Sequence, residues 1–547
     1  MRWFAGRSSP HQRENGQSGQ LINVYARISS GGLQLTDIHP VRRQREMTRS
    51  TSTVSPALVV ALGGLVLAVH IALIYTYAYE RLWWDGAVQL YRAILADGFA
   101  IPQYRYIHLL TQSIPVLLMR FADLNTVIHG YSLSLALPFL AAVAVTVALR
   151  DLRGLLLAAS LIFCVSTFTF FWGISEIRIS IGLSVILLAV LCRAQGRYWG
   201  VAVLFLVLPI YFAAHPISLV VYSWVGVYYF LFMLDRSSNP LGLFAPEGRH
   251  RLHLLLLFCL VALAAMLLRY ATLNLRELGI LQHADPRMAG LLDGEPAFVR
   301  WLYFPAMLLT YSRLQIVVIA AAIWYLFCRP ERWLAVFATI SSLGWILIVY
   351  IVVPIGGHYY MEHLLQPAVF FALAPACYAL PERIIVPDHR ATPFTVPRIF
   401  FGALIILTMV GCGRVIALGE ELSGTRAQIS ELTGQAIEQD IHRAHIPEAL
   451  AQKIIGPNIK YLPVYSLLYT SAELNRSTVF WPDGVSVPNW AYREPQHGGD
   501  AAKRFFSLPQ SIDWEPLSLP SSGSDPGPAA GVGPRHPVGS DSAEPTS

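Results

Sequence analysis

The chain has 547 residues, of which 54% are hydrophobic and only 14% charged, and its mean hydropathy is +0.49. This composition indicates a polytopic membrane protein rather than a water-soluble one. The net charge is +6, and residues 1–50 hold eight arginines against three acidic residues, so the rest of the chain is nearly neutral. A nearly neutral body argues against nucleic acid as a partner.

Residues 1–50 are polar, rich in Gly, Ser, Gln and Arg, and without apolar periodicity, which predicts a disordered tail. A basic tail beside a first membrane span predicts a cytoplasmic N-terminus. Met47 is followed by a short polar lead into the first apolar run, so we expect residues 1–46 to be dispensable. No cleavage-site pattern follows that run, which is therefore predicted to be a retained span.

Apolar runs of about 20 residues, long enough to cross a bilayer, recur over residues 51–418 and predict an all-α membrane domain. About eleven of them lie at 55–78, 126–149, 154–172, 177–193, 199–214, 216–235, 251–269, 303–328, 333–354, 364–381 and 398–418.

The loop over residues 79–125 has a different pattern, with two amphipathic stretches separated by Gly98 and Pro102. In the first stretch Asp85, Gln89 and Arg92 share one helical face, which we expect to meet water at the membrane surface. The bland alternative is a surface-lying connector. The second stretch, 106–121, could be a twelfth span, but charge decides against that interpretation.

If residues 106–121 stay outside, every short inside loop is basic, as the positive-inside rule expects. Those loops then carry Arg150, Arg153, Arg193, Arg197, Arg236, Arg249, Arg251, Arg329, Arg332, Arg383, Arg390 and Arg398. We therefore expect a multi-pass protein of the plasma (inner) membrane with its C-terminus on the extracytoplasmic side.

The part of the chain after the last run predicts a small outside domain over residues 419–518. Residues 420–445 have the pattern of an amphipathic helix, and the rest mixes apolar and polar residues with several prolines and tryptophans. Residues 519–547, rich in Pro, Gly and Ser, predict a disordered tail. All six cysteines lie in or beside apolar runs without a CxxC motif, which predicts neither disulfides nor a zinc site.

Side chains able to do chemistry collect at the outer ends of the predicted spans, where they could line one polar cavity. They are Asp85, Arg105, His108, Glu176, Arg178, His358, Glu362 and His363. Plainer interpretations stay open: Asp85 could simply cap a helix, and Glu176 and Arg178 could be a local ion pair. His358 and Glu362 are four residues apart, but a metal site needs more ligands than these, so none is predicted and a divalent ion is the less favoured alternative.

Three stretches give this layout a familiar form: WWDGAVQLYRAILADG, then TVIHGYSLSLALPFLAAVAVTVALRDLRG, then FFWGISEIRISIGLSVILLAVL. Over residues 55–235 the arrangement resembles the GT-C glycosyltransferases, which include the protein O-mannosyltransferases and the aminoarabinose transferases of lipid A. Members use polyprenyl-phosphate sugars and carry an acidic residue in a first outside loop with two interface helices. The family's usual acidic pair is reduced here to Asp85 followed by Gly86.

The resemblance implies transfer of a sugar from a polyprenyl-phosphate donor to an extracytoplasmic lipid, glycan or protein acceptor in the cell envelope, with inversion. Asp85 would be the general base that takes the proton of the acceptor. The donor phosphate would be held by Arg178, Arg105, His358 and His363, without a metal cofactor. Supporting roles would fall to Glu176, His108 and Glu362.

Two other classes of protein remain open from the sequence. A transporter or lipid flippase usually carries ionisable residues at mid-membrane depth, and such residues are scarce in the centres of these runs. A non-catalytic membrane scaffold would account for the outside domain but not for the amphipathic loop.

Overall fold

A computed structural model of the chain describes residues 56–82, 85–100, 108–163, 170–171, 176–193, 216–236, 312–352, 358–381, 395–487, 491–509 and 514–518. The predicted spans 199–214 and 251–269 lie outside these residues, as do the two terminal tails predicted to be disordered.

The described residues are mostly helical, because a backbone inside lipid must satisfy its own hydrogen bonds. The helices are α1 Pro56–Thr76, α2 Asp85–Leu95, α3 His108–Leu118, α4 Leu124–Ala148, α5 Leu152–Phe163, α6 Glu176–Arg193, α7 Pro216–Arg236, α8 Arg313–Phe327, α9 Arg332–Val352, α10 His358–Tyr378, α11 Val396–Glu438, α12 Glu448–Ile455, α13 Leu462–Glu473 and α14 Asp500–Phe505. The strands are β1 Arg443–Ile446, β2 Val479–Pro482 and β3 Glu515–Pro516.

Among the described helices, α1, α4 and α11 are long and apolar enough to cross a membrane. Shorter apolar helices pack around them, including α5, α8 and most of α6, α9 and α10. This confirms a mostly helical protein with membrane-spanning character. The number of about eleven spans remains a prediction.

Helix α11 is longer than the sequence pattern indicates. Its 43 residues make a rod of about 64 Å, roughly twice the thickness of the hydrocarbon core. Its first half exposes Ile406, Met409 and other aliphatic side chains, while Ile429 and Ala436 are buried in its second half. The span 398–418 and the amphipathic stretch 420–445 thus belong largely to one helix, which ends at Glu438.

At one end of the bundle tyrosine hydroxyls join neighbouring helices, and several of the described arginines of the predicted inside loops lie there. The hydroxyl of Tyr378 donates to Asp151 at 2.9 Å, and the hydroxyl of Tyr325 donates to the Ala379 carbonyl at 3.1 Å. Tyr325 also stacks on Phe400 at 4.4 Å. The arginines at this basic end are Arg150, Arg153, Arg329, Arg332 and Arg398.

Residues 439–518, which we call the C-terminal unit, contain a small parallel sheet of order β2-β1-β3. Helix α13 covers one face of this sheet, and Phe480 N donates to Ser466 Oγ at 3.1 Å across the contact. The sequence predicts an all-α membrane domain and a small outside domain without assigned strands, so this sheet is an addition to the predicted fold. Strands of two to four residues are too short to show the apolar alternation by which strands are predicted.

The C-terminal unit packs on the loop that follows α1. Tyr492 stacks on Tyr91 of α2 at 5.9 Å, and Gly499 N donates to the Leu95 carbonyl at 2.9 Å. Arg504 donates to the Met119, Arg120 and Ala122 carbonyls just after α3, where a cation suits the helix end.

These contacts change the expected environment of α2. Gln89, predicted to lie on a water-facing side, is only 7% exposed, and its neighbours Ala87, Val88 and Leu90 are buried as well. The expectation of a water-facing stripe at Gln89 was therefore wrong, because α2 lies between the bundle and the C-terminal unit. Helix α3 has 11 residues, a length of about 16 Å that is too short to cross a membrane.

The orientation of α4 can be tested with single cysteines at its two ends. Asp123 and Arg150 flank α4 and are both exposed. In a background without the six native cysteines, we expect Asp123→Cys to react with an impermeant maleimide in intact cells. Arg150→Cys should react only after permeabilisation, since the basic end is predicted to face the cytoplasm. The reverse labelling pattern would overturn the predicted topology.

Candidate functional site

The site begins where the chain leaves α1. Residues Glu80–Leu82 form one 3-10 turn, and α2 starts soon afterwards at Asp85. Successive side chains in a 3-10 turn diverge by about a third of a revolution. Glu80 and Arg81 therefore enter different surroundings, although they are adjacent and both fully buried, at 0% and 1% exposed.

Arg81 belongs to a buried basic cluster, which we define as His70, Arg81 and Arg178 around the ring of Phe170. The guanidinium carbon of Arg81 lies 4.7 Å from the centroid of this ring, and that of Arg178 lies 5.4 Å from it. The His70 ring centroid lies 5.9 Å from the same centroid. Phe139 holds Arg178 from another side at 5.2 Å. One aromatic ring thus gathers three basic side chains from α1, α6 and the turn between α1 and α2.

This cluster carries positive charge in a dry place. Among the described residues, Nε and Nη1 of Arg81 and both ring nitrogens of His70 are buried without a hydrogen-bond partner. Burial, followed by the like charge of Arg178, lowers the pKa of Arg81 to about 9, so Arg81 is still charged at neutral pH. Buried positive charge is costly unless it is paired. An anion such as a phosphate, with several acceptor oxygens, matches the N–H donors of Arg81.

Glu80 forms a separate ion pair with Arg426. Its Oε1 lies 2.7 Å from Nε of Arg426 on α11, and Arg426 also lies over the ring of Tyr79 at 5.7 Å. Nearby, the hydroxyl of Tyr77 donates to Glu420 at 2.8 Å. Burial raises the pKa of Glu80 to about 7, although the charge of Arg426 acts in the opposite direction. This ion pair joins the end of α1 to the part of α11 that carries the C-terminal unit.

Of the residues predicted from the sequence, Arg178 is placed with its side chain inside the basic cluster. The others contribute backbone positions at helix starts: Asp85 opens α2, His108 α3, Glu176 α6 and His358 α10. The side chains of these four, and of Glu362 and His363 in the first turns of α10, lie outside the described residues, as does the whole of Arg105.

The helix directions nevertheless bring several of these starts to one end of the bundle. Tyr378, the last residue of α10, and Cys192, near the end of α6, lie together at the basic end. The first residues of both helices, His358 and Glu176, are therefore at the opposite end, on the side of Arg81. That their side chains lie close to the side chain of Asp85 stays a prediction from the sequence.

Sequence reasoning missed His70, Glu80 and Arg81. The signal that could have found Arg81 is the sequence TYAYERLWWDG, in which an acid and a base follow an apolar run directly. The sequence pattern predicts that residues 79–125 form an exposed loop, whereas the structure buries the side chains of Glu80 and Arg81. His70 gave no signal, because a single His in an apolar run has no periodic partner.

Comparison of the chain with protein-family models, curated proteins and solved structures found no match. The resemblance to GT-C enzymes therefore depends on the layout of the sequence alone. Within the described residues, no group of three or more His, Cys, Asp or Glu side chains is placed to hold a metal ion.

The raised pKa of Glu80 predicts a pH dependence of stability. Because the pKa rises from an ordinary 4.5 to about 7 on folding, its stabilising contribution is full below pH 4.5 and is lost as the pH rises through 7. We expect the melting temperature of the wild type, relative to Glu80→Gln, to fall between these pH values. Glu448→Gln, at an exposed position, is the control. Parallel melting curves for wild type and Glu80→Gln across this range would contradict the prediction.

Gly86 tests the close approach of α2 to the turn before it. A Cβ on Gly86 would lie 2.8 Å from the carbonyl oxygen of Arg81, whereas one on Gly64 would meet nothing within 4 Å. Gly86→Ala should therefore lower stability by about 1–3 kcal/mol, while Gly64→Ala should leave it unchanged or raise it slightly. Thermal unfolding of the two variants in the same detergent makes the comparison, and equal stabilities would refute it.

Proposed function

We propose that the chain is a membrane glycosyltransferase that moves a sugar from a polyprenyl-phosphate donor to an acceptor on the extracytoplasmic side of the plasma membrane. The proposal combines the sequence layout with the charge distribution at the outer end of the bundle. The basic cluster is the observation that carries it, because a lipid-linked sugar presents a phosphate at the level where α1 ends.

The cluster suits a donor phosphate for two reasons. Arg81 offers buried N–H groups without a hydrogen-bond partner among the described residues, and Arg178 lies against the same Phe170 ring. Donors held in a dry pocket stabilise charge that develops during a reaction far better than they would in water. Arg81 therefore joins Arg178, Arg105, His358 and His363 as a proposed phosphate ligand.

Asp85 is the proposed general base. It opens α2, whose second residue, Gly86, lies directly against the Arg81 carbonyl, so the start of α2 is held beside the basic cluster. In the reaction the carboxylate takes a proton from the acceptor hydroxyl or amine. The acceptor atom bonds to the anomeric carbon, while the bond between the anomeric carbon and the phosphate oxygen of the donor breaks. The lipid phosphate then leaves with the electron pair and one more negative charge, and the sugar configuration inverts.

Transport of a lipid or solute is the second candidate, and His70 favours it. This residue is fully buried within α1, a candidate span, and lies close to two arginines. Ionisable residues inside a span often mark transport pathways. A transporter would move an intact lipid-linked substrate, whereas a transferase would break it into sugar and lipid phosphate, so the products distinguish the two functions.

Substitutions at Asp85, Arg81 and Arg178 test the transferase. We expect Asp85→Asn to lower sugar transfer per folded molecule by about 10²-fold or more, because it removes the base but keeps a capping side chain. Arg81→Gln should lower transfer by about 10²-fold. Arg178→Lys keeps the charge but loses the bidentate fork, so it should raise the KM for the donor.

Two matched variants serve as controls. Asp123 also lies at a helix start, where its side chain accepts from Thr126 N at 2.8 Å, so Asp123→Asn reports the effect of capping alone. Arg120→Gln removes an exposed arginine. If Asp85→Asn transfers sugar at the full wild-type rate, Asp85 is not the general base.

Binding can be measured separately from catalysis. Polyprenyl phosphate alone should raise the melting temperature of wild-type protein and of Asp85→Asn, but much less that of Arg81→Gln. A lipid comparison between a wild-type and a deletion strain would identify the acceptor that loses its sugar.

A further inference from the structure

The C-terminal unit presents an aromatic surface on the sheet face that α13 does not cover. The register pairs His445 of β1 with Trp481 of β2 and with Pro516 of β3, so these side chains share one face. Trp514 precedes β3 and lies on the same side, with its ring 4.9 Å from that of Trp481 and 5.5 Å from that of His445. Two partly exposed indole rings thus meet above the central strand.

A polar pair borders this surface. Nδ1 of His445 lies 3.2 Å from Oδ1 of Asp483, and the side chains are 35% and 56% exposed. Asp483 follows β2 directly, so it lies at the carboxyl end of the strands, where parallel sheets commonly bind ligands. We call Trp481, Trp514, His445 and Asp483 the indole platform.

The platform is connected to α2 by a series of ring contacts. Trp481 meets Tyr492 at 5.7 Å, and Tyr492 stacks on Tyr91 with ring planes only 5° apart. Tyr91 lies six residues after Asp85 on the same helix, about 9 Å along its axis. A ligand on the platform would therefore be connected, through Tyr492 and Tyr91, to the helix that carries the proposed base.

We propose that the indole platform binds a neutral oligosaccharide, as the acceptor glycan of the enzyme. The C–H face of a pyranose ring stacks on an indole ring, while its hydroxyls pair with a carboxylate and an imidazole at the edge of the same surface. These groups match a neutral, hydroxyl-rich ligand, in contrast to the basic cluster, which matches an anion. A carboxylate at the rim also disfavours an anionic lipid surface. The role as acceptor site rests on the proposed transferase function, whereas saccharide binding itself does not.

The experiment measures binding by the full chain in nanodiscs. Neutral oligosaccharides of glucose, mannose, galactose and arabinose are titrated by calorimetry, together with a polyproline peptide. We expect one oligosaccharide series to bind, and Trp514→Leu to weaken it about tenfold because the aromatic stack is lost. Asp483→Asn, at a well-exposed position, should weaken binding by about threefold or more through a weaker hydrogen bond. Trp324→Leu is the matched control, since Trp324 is 47% exposed on α8.

Several outcomes would overturn the platform. They are the absence of binding by every oligosaccharide, unchanged affinity in both Trp514→Leu and Asp483→Asn, and binding of the polyproline peptide in place of a saccharide. Melting temperatures show whether the variants remain folded. If Trp514→Leu does not fold, the affinity of Asp483→Asn decides the question.

The design separates this proposal from the transferase. If the wild-type chain binds a saccharide but transfers no sugar, this result would support the platform and count against the transferase function. Transfer with an acceptor KM unchanged in Trp514→Leu and Asp483→Asn would overturn the role of the platform as the acceptor site and leave the enzyme in place.

Discussion

The burial of positive charge around Phe170 is the constraint on which the end of the bundle opposite the basic end depends. His70, Arg81 and Arg178 reach this ring from three separate elements, and each lies almost entirely out of solvent. Aromatic faces stabilise guanidinium groups, but they replace only part of the hydration that those groups lose. A buried cationic site of this kind is most readily explained as one that receives an anion.

Glu80 and Arg81 are adjacent in one short turn, but their side chains contact different parts of the molecule. One side chain enters the basic cluster, and the other forms an ion pair with Arg426 on α11. Because α11 continues past the expected membrane boundary and leads directly to the C-terminal unit, that ion pair links the helix before this unit to the turn after α1. The start of α2 packs against the Arg81 carbonyl at Gly86. The middle of α2 packs against the C-terminal unit through the stacked rings of Tyr91 and Tyr492.

This arrangement places the two proposed binding sites near one helix. The basic cluster lies beside the start of α2, and the indole platform is connected to its middle through Tyr91. One has the chemistry to hold a phosphate and the other to hold a neutral sugar. The proposed transferase needs one subsite for each substrate and a base, and the proposed base, Asp85, lies between Arg81 and Tyr91 in the sequence.

The sequence by itself determined the membrane class, the long apolar helices and the amphipathic character of the loop after α1, because hydropathy and periodicity are local properties. It also drew attention to Arg178, a charge at the edge of an apolar run, whose side chain lies in the basic cluster; the role of Arg178 stays a prediction. Tertiary structure alone decided that Gln89 is buried, that α11 is continuous to Glu438, and that three short strands form a sheet. It also brought His70, Arg81 and Arg178 to one ring, although Arg178 lies 97 residues after Arg81 and 108 after His70. The physical reason is that such contacts depend on which helix faces pack together, and no local pattern in the chain records that choice.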